Sequence, residues 1–148
     1  MSKYEEANKI LSEKFSKDNF IGLTTTDGAR VITRIVNAYY EDGALYFTTN
    51  ALSNKMKQIE KNPVVAVFCA ESNETYINAH GVGENMGHVL AKENAAMMEK
   101  LRKAFYRWYD EDGKEDDPNS CLVRIRLTDG LYSVDFVPES ICFAEQTV

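Results

Sequence analysis

Two short segments carry the residue types that could hold an anion. Thr48 and Thr49 close an apolar run, and Ser53-Asn54-Lys55 opens the segment that reads as the next helix. Free amides and the dipole at a helix N-terminus attract phosphate-like groups. Ser53 adds a hydroxyl and Lys55 a full charge. A third segment brings Arg34, alone among Ile32, Val36 and other apolar residues, where an unpaired cation is costly. If the hairpin over Glu41–Ala44 pairs Tyr40 with Leu45, then Asn37 faces Thr48 and Arg34 faces Ala51, at the start of that helix. Arg34, Lys55, Ser53 and the two threonine hydroxyls would then converge on one dianion. The same pattern also reads as a capped helix beside an arginine lying along a strand.

Other chemistry finds less support. His80 and His88 would be about 26 Å apart on a straight strand, too far to share a metal ion. They read as one structural and one surface histidine. The acidic stretch Asp110–Asp117 fails the calcium-loop pattern, with Glu115 where glycine and Cys121 where a carboxylate is required. It reads as a solvated loop. Cys69, Cys121 and Cys142 lie in apolar contexts, without close pairs, as expected of reduced thiols in a cytoplasmic protein. Gly81-x-Gly83-x-x-x-Gly87 has its third glycine one place late for a dinucleotide fingerprint. No side chain demands a role as a catalytic acid, base or nucleophile, and no metal set is visible.

The elements that must position these residues follow from periodicity. Ser2 and Glu5 form a capping box, and Tyr4, Ala7, Ile10, Leu11 and Phe15 share one helical face. Phe20–Thr26, Val31–Tyr40 and Leu45–Thr49 read as strands joined at Asp27-Gly28 and Asp42-Gly43, both hairpin signals. Ser53–Asn62 is a short helix ended by Pro63. Val64–Ala70 reads as a strand buried on both faces. Thr75–Val89 is a long strand interrupted by glycines, a sign of bulges or close backbone approach. Lys92–Tyr109 reads as one helix, with Ala95, Met98, Leu101, Phe105 and Trp108 on a stripe. Cys121–Leu127 alternates, with Arg124 and Arg126 outward. Asp129-Gly130 predicts a turn into Leu131–Val137, and a last strand runs over Ile141–Ala144. About seven strands and three helices, mainly β, favour a small antiparallel barrel, closed or split, over an open sheet.

Composition sets the limits. The chain has 148 residues and 16.8 kDa, one domain's worth. A formal charge of -6 disfavours sequence-independent nucleic-acid binding. No apolar run approaches the roughly 18 residues of a membrane helix, and the polar start, Met1 to Glu6, shows no secretory signal.

Thr33-Arg34-Ile35-Val36, Leu45-Tyr46-Phe47-Thr48-Thr49, Ser53-x-Lys55, Ile59 and Asn62-Pro63-x-Val65 strongly resemble the pyridoxamine 5'-phosphate oxidase-like family, the FMN-binding split barrels. Phe105-x-x-Trp108-Tyr109, with Gly113 and Asp116-Asp117-Pro118, is similar to its general stress protein branch. The resemblance implies a homodimer with two FMN sites at the subunit interface. It places Val31, Ile32, Thr33, Arg34, Ile35 and Val36 along the flavin and its ribityl chain. Thr48 and Thr49 would meet the flavin edge and phosphate, and Ser53, Asn54 and Lys55 the phosphate. Most relatives carry an arginine where this chain has Asn54. The implied function is an FMN-dependent oxidoreductase or flavin carrier; the alternative is a non-catalytic dimer for haem or a deazaflavin. The oxidases proper have a lysine five residues after the strand arginine, where this chain has Tyr39, and an Arg-and-His segment where it reads Glu145-Gln146-Thr147. Pyridoxamine phosphate is therefore not the expected substrate. Tyr39, Tyr40, Tyr46 and Tyr76 exceed what one small barrel can hold, which also points to a homodimer.

Overall fold

A computed structural model describes residues 2–109 and 115–143. The first part of the acidic stretch, Gly113, Ala144 and Glu145-Gln146-Thr147 lie outside the described residues. In chain order the elements are α1 (Lys3–Phe15), β1 (Asn19–Thr26), β2 (Val31–Glu41), β3 (Ala44–Asn50), α2 (Asn54–Lys61), β4 (Val64–Ala70), β5 (Tyr76–His88), α3 (Ala95–Ala104), β6 (Ser120–Val134) and β7 (Val137–Cys142). All pairings are antiparallel, in the order β3-β2-β1-β4-β5-β6-β7. A further β3–β6 ladder closes the first six strands into a barrel.

The barrel is split where β2 and β3 part. Their ladder holds only Tyr39↔Tyr46, Tyr40↔Leu45 and Glu41↔Ala44. Beyond it β3 turns to pair with β6 along its whole length, so among the described strands the Val31–Ala38 part of β2 is bonded only to β1. The Tyr40–Leu45 register is as the turn chemistry predicts. The consequence drawn from it is not: Arg34 lies opposite Leu23 of β1 rather than Ala51.

The first two hairpins form where Asp-Gly predicts them. Gly28 has φ 96°, and Asp42 and Gly43 have φ 46° and 78°. Asp27 Oδ1 accepts from the amides of Ala29 and Arg30 at 2.9 Å each, which holds its carboxyl below the usual range. The third expected turn does not exist, because β6 runs straight through Asp129-Gly130. Gly130 serves close approach instead: a Cβ there would lie 2.4 Å from the Asn78 carbonyl oxygen and 2.6 Å from Ala79 Cα. The chain reverses later, at Asp135 and Phe136, with φ 51° and 69°.

Inside the barrel, Ile21, Leu23, Leu45, Phe47, Val67, Ile77, Val123 and Ile125 pack together under Leu11 and Phe15 of α1. A second cluster lies outside the barrel wall, where Met98, Leu101 and Phe105 cover Val89 and Leu122. The helix expected over Lys92–Tyr109 is shorter. A 3-10 turn at Lys92–Asn94 precedes it, and the chain leaves the helix at Phe105. The aromatic run Phe105-Tyr106-x-Trp108-Tyr109 loses side-chain freedom in a helix, and its rings stack instead. Phe105 and Trp108 centroids are 4.9 Å apart, while Trp108 Nε1 donates to Asp18 Oδ2 at 2.7 Å.

One expectation about packing is corrected. β4 is buried on one face only, since Val64 and Phe68 are exposed; no element among the described residues covers that side. Tyr40 sits wholly inside, its hydroxyl donating to Asn8 Oδ1 and accepting from the Gly43 amide. The outward apolar surface consists of other residues, chiefly Phe20, Val31, Ile35, Val64 and Phe68.

Candidate functional site

The site lies where the split meets α2. β3 ends at Asn50, whose side-chain oxygen accepts from the Leu52 amide at 2.9 Å. This tight turn delivers Ser53 as N-cap, with φ −65° and ψ 157°. Ser53 makes no capping bond, and its buried Oγ has no hydrogen-bond partner among the described residues. Buried hydroxyls are rarely left unpaired, so such an atom asks for a ligand or water. The first amides of α2 also lack acceptors within the helix.

Lys55 lies in the first turn of α2, and its Nζ donates to Thr49 Oγ1 at 2.9 Å. Arg34 reaches the same helix from β2. Its Nη1 donates to Thr25 Oγ1 at 2.6 Å and to the Leu23 carbonyl at 3.4 Å, and its Nη2 to Gln58 Oε1 at 3.3 Å. Neither cation has a carboxylate within ion-pair distance among the described residues. Burial, and then the neighbouring Arg34 charge, lowers the Lys55 pKa; burial lowers that of Arg34. Two desolvated like charges beside an orphan hydroxyl form a site that an anion would relieve.

The structure bonds Lys55 to Thr49 and puts the Arg34 charge within electrostatic reach of Lys55, while Ser53 is the N-cap of the same helix. Thr48 stands apart, because strand alternation turns it to the face opposite Thr49. Asn54 is exposed at the start of α2. Along β2, Val31, Thr33 and Ile35 lie on the exposed outer face, Ile32 is exposed at the open end, and Val36 packs against the core. The sequence reading missed Thr25 and Gln58, which are 1% and 8% exposed. A signal existed for each: Thr25 follows Leu23 at an inward strand position, and Gln58 lies one helical turn after Lys55.

Elsewhere, His88 accepts from the Leu90 amide at Nδ1 and donates to the Asp117 carbonyl at Nε2, a structural role. His80 sits on the surface against Asp129. No group of three His, Cys, Asp or Glu residues converges among the described residues, and no described helix is long and apolar enough to cross a membrane.

Fold and site together define a split antiparallel barrel with a cationic notch at the start of its second helix. The family model described as pyridoxamine 5'-phosphate oxidase like matches residues 7–135. The chain belongs to that family. Among solved structures it is similar to General Stress Protein 26 from Bacillus anthracis, with TM-score 0.71 and 22% identity over 93% of this chain and 98% of that one. A heme binding protein from Mycobacterium smegmatis gives TM-score 0.71 and 15% identity, over 97% of this chain and 59% of that one. An F420 reductase gives TM-score 0.64 and 18% identity, over 79% and 92%. No curated protein matches the sequence.

Proposed function

We propose that the protein binds FMN in this notch and serves as a flavin-dependent oxidoreductase or flavin carrier. The observation that carries this reading is the pair of cations, Arg34 and Lys55, without a carboxylate and beside the unpartnered Ser53 Oγ. A phosphate monoester supplies what they lack: two charges and acceptor oxygens for Ser53 and the first amides of α2. The open edge of β2 offers unpaired backbone groups for the rest of the ligand. Bound flavin would supply the redox chemistry; this chain would supply binding, orientation and exclusion of water.

The substrate is not pyridoxamine phosphate on this reading. Tyr39 is half-buried under α3, and a phenol there gives a substrate phosphate no charge. Steady-state assays should show no useful formation of pyridoxal phosphate. The notch is tested by titrating ligand-free protein with FMN and with riboflavin. FMN should bind at least tenfold more tightly, the worth of one charged hydrogen bond; equal affinities would sink the assignment. The absorbance spectrum of freshly purified protein separates flavin from haem and deazaflavin, which the related folds raise as alternatives.

A further inference from the structure

Arg34 and Lys55 are both held by neutral oxygen atoms. Arg34 has the Thr25 hydroxyl, the Leu23 carbonyl and the Gln58 amide oxygen; Lys55 has the Thr49 hydroxyl. Three other cations of the chain meet carboxylates instead. Arg102 meets Glu115, Arg124 meets Glu84 and Lys100 meets Glu41, at 2.8, 2.9 and 2.6 Å. Thr25 and Gln58 also bond to each other, the hydroxyl donating to the Gln58 oxygen that receives Arg34 Nη2. That closes a ring of three side chains from β1, β2 and α2 behind the notch.

The geometry points to Thr25 and Gln58 as positioning residues that aim Arg34 into the notch, with the neutrality of Gln58 setting the preference for a dianionic ligand over its uncharged analogue. The inference rests on the phosphate reading above. A carboxylate at position 58 would satisfy the same two donors and hold the guanidinium equally well. It would also cancel one of the two charges that a phosphate must find. Oriented but uncompensated cations need acceptors without charge, and an amide oxygen, a carbonyl and two hydroxyls provide them. Gln58 is itself almost wholly buried, on the same helix as the core residues Met56 and Ile59.

The test uses Gln58→Glu, Thr25→Val and Thr25→Ser, with FMN and riboflavin titrated into ligand-free protein and melting followed without ligand. Gln58→Glu should bind FMN about tenfold or more weakly, bind riboflavin as the wild type does, and melt no lower. A merely structural glutamine would lower the melting temperature and weaken both ligands alike. Thr25→Val should weaken FMN about fivefold with riboflavin unchanged, and Thr25→Ser should restore it. Wild-type preference for FMN with an undiminished preference in Gln58→Glu would overturn this inference and leave the FMN reading standing. Equal wild-type affinities would instead overturn the FMN reading. Inorganic phosphate then reads the clamp: it should raise the melting temperature of the wild type and not of Gln58→Glu, and equal shifts would overturn the inference. Thr25→Val gives the same reading if Gln58→Glu does not fold.

Discussion

Lys55 and Arg34 show how much a charged residue's meaning depends on what it lacks. Each is partly buried, each is held by oxygens that carry no charge, and the Arg34 charge adds to burial in lowering the Lys55 pKa. Replacing either with alanine should weaken FMN binding by about 1–3 kcal/mol while leaving riboflavin nearly untouched. Calorimetric titration of the two variants checks this; losses below that range at both sites would place the phosphate elsewhere. Cys69 is the opposite case, a group whose environment forbids its charge. It is fully buried on β4, and burial pushes its thiol from 9.0 up to about 12. A folded value above the unfolded one stabilises below pH 9, and that stability is lost as pH climbs from 9 toward 12. The slope is roughly 1.4 kcal/mol per pH unit. Urea unfolding across that window should lose stability more steeply in the wild type than in Cys69→Ala, where this source of pH dependence is gone.

Among the elements, the strands are fixed by contacts that short-range pattern describes unevenly. The hairpins at Asp27-Gly28 and Asp42-Gly43 were legible because both glycines adopt positive φ, the property that makes the dipeptide a turn signal. Asp129-Gly130 misleads because glycine has a second use, and only the neighbouring strand reveals it. Gly130→Ala should therefore destabilise by about 1–3 kcal/mol or more, the cost of forcing atoms into a packed wall; the new Cβ meets backbone at 2.4 Å, and backbone cannot rotate away. Denaturant midpoints of Gly130→Ala and the wild type check this. The notch divides along the same line. Ser53 and Lys55 were legible from a local helix start. Arg34 was found through a correct hairpin register, yet its neighbours were misassigned, because the β2–β3 ladder ends after three pairs and β6 replaces it. Thr25 and Gln58 join the site through contacts 9 and 24 residues from Arg34; periodicity gives the face each lies on but not that Arg34 is the partner. The outward face of β4 was misread for a related reason: a continuous apolar run says that both faces avoid water, without saying whose surface covers the second.

That uncovered face bears on the whole molecule. Phe20, Ile35 and Phe68 lie on neighbouring strands, with Ile35 and Phe68 both opposite Gly22 in adjacent ladders. The glycine between them leaves a shallow trough flanked by Ile35 and Phe68, and the Tyr76 ring lies tilted against Phe68, centroids 5.5 Å apart, on its far side. Val31 and Val64 extend the surface toward the open edge of β2 and the notch. Solvent-exposed apolar surface of this continuity marks an interaction site, and a sheet face that carries it suits a second copy related by a two-fold axis. The homodimer that the resemblance implies would bury this face, and each notch would then lie beside the partner's sheet. Light scattering at micromolar concentration should return twice the 16.8 kDa chain mass. Phe68→Asp combined with Ile35→Asp puts two carboxylates on the trough without touching the barrel interior. The variant should keep its folded spectrum, scatter as a monomer and hold FMN more weakly than the wild type. If it remains dimeric, the copies meet through a different face; if it becomes monomeric with FMN affinity unchanged, the notch is complete within one chain.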